Sequence, residues 1–258
     1  MSTKPSCSPI SLTSKDDSSN NNDFNKDSNA NKFSSSAPYL TGLIEGDGSI
    51  IVPKSVLESG PARVPKKGFR ALNYPSIKLA FDLRDFPLAQ MIQKELGHGS
   101  LCRMKGVNAY LLQVSNKEGI LSLISLLNGN MRTSKINSLY GLIDWCNSKY
   151  GLNIVKKPVD FSPIGSNSWF AGFIDADGSF SIFINNKSIR IRFSITQTGV
   201  SKLGFSNQEI MNLLAEFLNV KVCKYELKRH PFSIEYTVKT QSIKSNELVI
   251  NYLENFPL

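Results

Sequence analysis

Two aspartates stand in nearly the same surroundings. Asp47 lies in LTGLIEGDGSI (residues 40–50) and Asp177 in FAGFIDADGSF (residues 170–180). The segments share Gly42/Gly172, Ile44/Ile174, Asp47/Asp177, Gly48/Gly178 and Ser49/Ser179. Each reads as an apolar helix with its aspartate in the last turn. The helix macrodipole disfavours an acid there by roughly 0.3–1 kcal/mol. If the two helices pack side by side, the two carboxylates meet, and neighbouring like charges need a counter-ion. A hard divalent cation held through oxygen, Mg²⁺ foremost, answers that need.

The elements that must hold these acids follow from the spacing of small residues. Gly42 and Gly46 are four apart, as are Gly172 and Ala176, so each pair shares a helix face. Small residues there let two backbones approach closely. The simplest partner for the first notched helix is the second, giving a central two-helix interface and a pseudo-twofold relation between the halves.

Around each helix the same order of elements is read. In the first half, Ser36 and Pro38 suit a helix start, and Gly48 is expected to close the helix in a left-handed turn. SIIVP and PSIKLAFDLRD alternate as strands. FPLAQMIQKELG is helical and stops at Gly97. SLCRM and AYLLQVS flank the turn KGVN. NKEGILSLISLLNG and SKINSLYGLIDWCNSKYG are helices. In the second half, Ser168 precedes the helix WFAGFIDADG. SFSIFINN and IRIRFSITQT follow as strands, then the helix SNQEIMNLLAEFL. VKVCKYEL and FSIEYTVKT are a second strand pair, and SIKSNELVINYLENF is the last helix. The fold class expected is α+β: tandem αββαββα repeats with antiparallel sheets, helices on one face and the other face free. The boundaries read as a disordered low-complexity tail (1–37), a first repeat (38–150), a linker (151–165) and a second repeat (166–258).

The chain of 258 residues carries a net charge of +9, which suits a polyanionic partner. The tail is neutral, and the excess lies in the two halves. Four cysteines without a CxxC pair and two histidines assemble no zinc site, so four reduced thiols are expected. No apolar run approaches a membrane span, and the N-terminus has no secretory signal. Trp145 and Trp169 read as packing residues, and His98 as a loop residue. DADGSF is like the middle of a calcium loop, but Phe173 and Ile184 stand where that loop needs acids.

LTGLIEGDG and FAGFIDADG resemble the LAGLIDADG motif of homing endonucleases and intron maturases. Two copies at this separation resemble the single-chain members. NGNMRTSKINSLYGLIDWCN (128–147) is similar to the end of the first repeat in members encoded by fungal mitochondrial introns. The resemblance implies saddle-shaped sheets on a DNA major groove, with Asp47 and Asp177 as the metal-binding acids. It implies the backbone carbonyls of Gly46 and Ala176 as further metal donors, and Lys135 as the basic residue beside the first site. Glu45 and Asp175, two residues before each acid, are expected to be structural or supporting. It also implies a further lysine and closing helix beyond Phe256-Pro257-Leu258, so the second repeat is expected to be cut short.

Strand alternation supplies candidate DNA contacts. In the first half these are Lys54, Lys78, Arg84, Arg103 and Lys105. In the second they are Lys187, Arg190, Arg192, Ser194, Thr196, Gln197 and Lys239. Gln197 breaks the parity of Arg190, Arg192 and Ser194. The function expected is a site-specific, metal-dependent double-strand DNA endonuclease that promotes homing of its intron. It would act as a monomer away from membranes, made inside a mitochondrion. The alternatives are a maturase bound to the intron RNA, or a truncated inactive endonuclease.

Overall fold

The structure, a computed structural model, describes residues 7–9, 27–53, 74–185, 188–201, 203–226 and 234–257. Lys54 and Lys187 lie outside the described residues. The first half runs β1 (Cys7–Pro9), α1 (Asp27–Gly46), β2 (Ser49–Ile51), β3 (Ser76–Asp82), α2 (Phe86–Leu96), β4 (Ser100–Met104), β5 (Ala109–Val114), α3 (Lys117–Leu127) and α4 (Ile136–Tyr150). The second runs α5 (Trp169–Asp177), β6 (Gly178–Asn185), β7 (Ser188–Thr198), α6 (Gln208–Phe217), β8 (Val222–Glu226), β9 (Ile234–Lys239) and α7 (Ile243–Asn255).

Two antiparallel sheets result, ordered β1-β4-β5-β3-β2 and β6-β7-β9-β8. Without β1 the two orders are the same, so the expected α+β repeat is present. Strand alternation explains both. In β3, Ile77, Leu79 and Phe81 are buried, while Lys78 and Ala80 share the opposite parity. In β7, Phe193 and Ile195 are buried, and Arg190, Arg192 and Ser194 share the other parity.

The chain divides into two compact units whose bounds do not follow the repeats. One takes residues 1–36, 48–125 and 141–153; the other takes 37–47, 126–140 and 154–258. In the first, α2 lies against its sheet with Ala89, Ile92 and Leu96 buried. Gly97 ends α2 with φ 65°, as a left-handed cap should. In the second, the core gathers Phe170, Phe173, Phe193, Ile195, Leu214, Val238 and Tyr252. Burying each large side chain stabilises by about 1.5–3 kcal/mol. The Tyr252 hydroxyl accepts from Ala171 N–H at 3.0 Å, satisfying a first-turn donor of α5, and donates to the Asn167 carbonyl at 2.8 Å. Burial pushes that phenol up to about 12.

Several local expectations are corrected. α1 begins at Asp27, so Pro38 lies inside it rather than in its first turn; the segment expected to be a disordered tail contributes β1 and the start of this helix. Gly48 and Gly178 are not left-handed: Gly178 has φ −74° and ψ 148°, so α5 runs straight into β6. Glycine is required there by proximity, since a Cβ would meet the Ile174 carbonyl oxygen at 2.5 Å. Cys102 is disulfide-bonded, against four reduced thiols, while Cys146 and Cys223 are free. The segment expected as a linker (151–165) is bonded to the loop that precedes α4. Asn128 donates to the Val155 carbonyl and accepts from Lys157 N–H, and Asp160 N–H donates to the Met131 carbonyl. Among the described residues, no helix is long and apolar enough to cross a membrane.

Candidate active site

The last three turns of α1 pack on α5 inside one unit. Backbone meets backbone at the notches. A Cβ at Gly42 would run into the Trp169 carbonyl and come within 2.8 Å of Phe173 N. A Cβ at Gly172 would run into the Tyr39 carbonyl and come within 2.9 Å of Leu43 N. Trp169 stands to α5 as Tyr39 stands to α1, so the helices exchange equivalent contacts, as a local pseudo-twofold requires. Gly46 faces the Ala176 methyl. All four expected interface residues are therefore at the crossing.

The same exchange ties the acids that precede the paired aspartates. Trp169 Nε1–H donates to Glu45 Oε2 at 2.6 Å, and the Tyr39 hydroxyl donates to Asp175 Oδ2 at 2.6 Å. The signal was in the sequence: an aromatic residue just before each motif, at the same offset. Glu45 is 2% exposed and Asp175 is exposed. Burial raises the Glu45 carboxyl, and its donors Thr133, Arg132 and Trp169 oppose that. Trp169→Phe is expected to lower stability by about 1–3 kcal/mol, because a buried acceptor loses a donor. Tyr39→Phe is expected to cost about 0.5 kcal/mol. Urea melts of both variants check the difference.

The crossing brings Asp47 and Asp177 to one end of the helix pair. Asp177 Oδ2 comes within 2.9 Å of a Cβ built on Gly46, the residue before Asp47. Desolvation first, and the Asp177 charge second, raise the Asp47 carboxyl, while Lys135 lowers it. Desolvation also raises Asp177, against a hydrogen bond from Gln197 and the charge of Lys135. Lys135 stands at the carbonyl end of α1, its Nζ donating to Ile44 O at 3.0 Å and Gly46 O at 2.9 Å. A cation there offsets the partial negative charge of the helix end. The Gly46 carbonyl, expected as a metal donor, thus already serves the ammonium and has one lone pair left. Two adjacent carboxylates that hold protons more readily than usual, with backbone carbonyls beside them, form an oxygen donor set suited to a hard divalent cation. Among the described residues, no group of three or more His, Cys, Asp or Glu could hold a metal.

A family profile described as LAGLIDADG endonuclease matches residues 40–147 and 170–258, which take in the crossing ends of both helices and every strand except β1. The chain belongs to the LAGLIDADG endonuclease family. Intron-encoded DNA endonuclease aI3 of Saccharomyces cerevisiae is 34% identical over 178 residues, covering 64% of this chain and 40% of that protein. A probable intron-encoded endonuclease of Neurospora crassa is 29% identical over 230 residues, covering 85% and 36%. Intron-encoded RNA maturase bI4 of Saccharomyces cerevisiae is 32% identical over 165 residues, covering 64% and 22%. The chain therefore spans two fifths or less of the length of these relatives. Among solved structures, the LAGLIDADG meganuclease I-AabMI bound to uncleaved DNA superimposes with a TM-score of 0.57 at 16% identity, covering 86% of this chain and 84% of that one. That likeness concerns the fold.

Within this LAGLIDADG frame the expected DNA contacts separate by face. Arg190, Arg192, Ser194 and Thr196 share the outward parity of β7, and Lys239 pairs with Ser194 on β9. Arg192 stacks over Phe183 at 4.6 Å, and Lys239 Nζ donates to the Tyr225 hydroxyl at 2.9 Å. Gln197 has the parity of buried Phe193 and Ile195, and its Nε2 donates to Asp177 Oδ2 at 2.7 Å. It belongs with the acids, not with the outward face. By sheet register its counterpart in the first half is Phe81, a core residue.

In the other unit, Lys78 is outward. Arg103 is not, because it pairs with Tyr110, which pairs with Phe81. Its guanidinium donates to the Val107 and Ala109 carbonyls and lies over Tyr110. Arg84 is bound to Asp82 at 2.9 Å in an exposed turn, and Lys105 is exposed in the β4–β5 turn.

Proposed function

We propose that this chain is a site-specific endonuclease that cuts both strands of a double-stranded DNA site and so promotes homing of its intron. One observation carries the reading: a close-packed helix pair delivers Asp47 and Asp177 to a common end, with Lys135 beside the first and Gln197 on the second. Asp47 and Asp177 would hold Mg²⁺ or a similar divalent cation, with the carbonyls of Gly46 and Ala176 as further donors. When bound, such an ion supplies Lewis acidity toward a scissile phosphate oxygen and lowers the pKa of bound water. The residues themselves do the rest. Gln197 engages one oxygen of Asp177 and orients the carboxylate, so that Asp177 would offer its other oxygen to the ion. Lys135 places a fixed positive charge where negative charge grows on the departing oxygen.

Arg190, Arg192, Ser194, Thr196 and Lys239, with Lys78 and Lys105, supply contacts to phosphates and base edges. Both acids lie on one chain, which supports action as a monomer. The intron-encoded relatives support synthesis inside a mitochondrion. The likeness to a relative named RNA maturase supports a second reading, splicing assistance through the intron RNA, which needs the basic face but neither aspartate.

The test is incubation with an intronless exon junction and Mg²⁺. A staggered double-strand cut supports the proposal. Intact DNA across a divalent-metal series, with intron RNA bound and spliced, replaces it with the maturase reading. DNA affinity is expected to fall with a log–log salt slope of about −5, from release of counter-ions at roughly six neutralised phosphates. A flat response between low and moderate salt in a filter-binding titration contradicts the charged sheet face as the binding surface.

A further inference from the structure

The loop that presents Lys135 is held by a carboxylate outside the paired acids. Glu45 lies two residues before Asp47, on another face of α1. Its oxygens accept from Arg132 N–H at 3.1 and 3.0 Å, and Oε1 accepts from Thr133 N–H and from the Thr133 hydroxyl, both at 2.6 Å. That hydroxyl oxygen in turn accepts from Lys135 N–H at 3.2 Å. The Lys135 ammonium then returns to the carbonyls of Ile44 and Gly46, the two neighbours of Glu45 in the chain. The path closes on itself: carboxylate, hydroxyl, lysine amide, lysine ammonium, helix end.

The loop is braced on its other side as well. Arg132 is 5% exposed. Its guanidinium donates to the carbonyl and hydroxyl oxygens of Ser162, each at 2.6 Å, and pairs with Asp160 at 2.7 Å. Arg132 Nε is buried without a partner. Buried charge of this kind costs stability relative to apolar packing. What hydrogen bonds add over apolar contacts is direction, and here the direction concerns one loop. The equivalent acid of the second repeat, Asp175, is exposed.

We propose that Glu45 and Thr133 are positioning residues, whose carboxylate–hydroxyl–amide chain fixes where the Lys135 ammonium stands beside Asp47. The role given to Lys135 rests on the endonuclease reading; the geometry of its placement does not. The experiment therefore reads both. Thr133→Val removes the hydroxyl at constant shape, and Thr133→Ser keeps it. In metal-free, full-length protein, acylation of the Lys135 amine is followed by mass spectrometry, and single-turnover cleavage is measured in parallel.

For Thr133→Val we expect Lys135 to acylate about tenfold faster, as loss of a hydrogen-bonded anchor allows. Cleavage should slow about 100-fold, the penalty of displacing a reacting group by an ångström, with DNA affinity within about threefold because the groove contacts are untouched. Thr133→Ser should restore both rates. Unchanged Lys135 labelling in folded Thr133→Val overturns the proposal. If the wild type cuts no DNA, the endonuclease reading fails, and the labelling rates alone decide the positioning claim. Should the valine variant not fold, Thr133→Ala gives the same readout without added branching.

Discussion

Asp47→Asn and Asp177→Asn are each expected to abolish double-strand cleavage, by about 1,000-fold or more, the scale on which charge stabilisation at a reacting phosphate operates. DNA binding should stay within about threefold, since the phosphate and base contacts proposed above lie on the strands. The same substitutions should stabilise the metal-free protein. Both carboxyls take up protons more readily in the folded chain than an ordinary aspartate, Asp47 through desolvation and then the Asp177 charge, Asp177 through desolvation. A folded-state pKa raised above its unfolded value favours the fold as pH falls through it and penalises the fold above it. Above the ordinary aspartate range the wild type carries both penalties, and each asparagine variant removes the one belonging to the carboxylate it replaces. Thermal melts in chelator should show each variant about 1–3 °C above wild type. Added Mg²⁺ should raise the wild-type midpoint and leave the variants unmoved. Wild-type cleavage should decline on acidification while the pH is still above the usual aspartate range. Undiminished cutting by either variant removes the paired acids from the mechanism.

The parts legible in the sequence were those that repeat with a local period. Gly42, Gly46, Gly172 and Ala176 announced the crossing because spacing of four defines a helix face and small size defines close approach. The order αββαββα was legible twice because alternation and capping are local signals. What sequence left open depends on register and on contacts far apart in the chain. Gln197 illustrates the first: its parity placed it with Phe193 and Ile195, and only its neighbour Asp177 turned that inward position from core into site. Arg103 illustrates the same point in reverse, a charged residue drawn to the core-facing column by Tyr110 and nearby carbonyls.

Glu45 illustrates the second. Its donors Arg132 and Thr133 are 87 and 88 residues away, and no periodicity links them. The segment 151–165 read as a linker from its prolines, yet it is bonded to the loop 128–132 through backbone groups that composition does not reveal. The unit boundaries follow from the helix crossing: the last turns of α1 share more packing with α5 than a division into repeats allows.

Gly42→Ala and Gly172→Ala should be among the most damaging small substitutions at the described residues. In each case the added methyl runs into a backbone carbonyl of the facing helix, Trp169 or Tyr39, and no side-chain rotation relieves it. The helices must separate. Separation withdraws Trp169 Nε1 from Glu45 and the Tyr39 hydroxyl from Asp175, and it moves Asp47 away from Asp177. Overpacking of this kind costs about 1–3 kcal/mol before any hydrogen bond is lost, and one weakened buried bond adds about 1–3 kcal/mol. A fall in melting temperature of about 6–12 °C is expected for each variant.

Gly141→Ala is the contrasting case. It lies within α4, and its Cβ would meet only the Val52 Cγ2, at an ordinary 3.9 Å. Alanine is the better helix former by about 1 kcal/mol, so that variant should match or exceed the wild type. Calorimetry of the three proteins separates a crossing set by backbone contact from one cushioned by side chains. A Gly42→Ala midpoint equal to that of Gly141→Ala shows that the helix pair tolerates a wider spacing. Cleavage by the same variant then reports whether the acids still act together at that spacing, because a pair of carboxylates held by one crossing would lose the ion proposed to bridge them once the crossing opens.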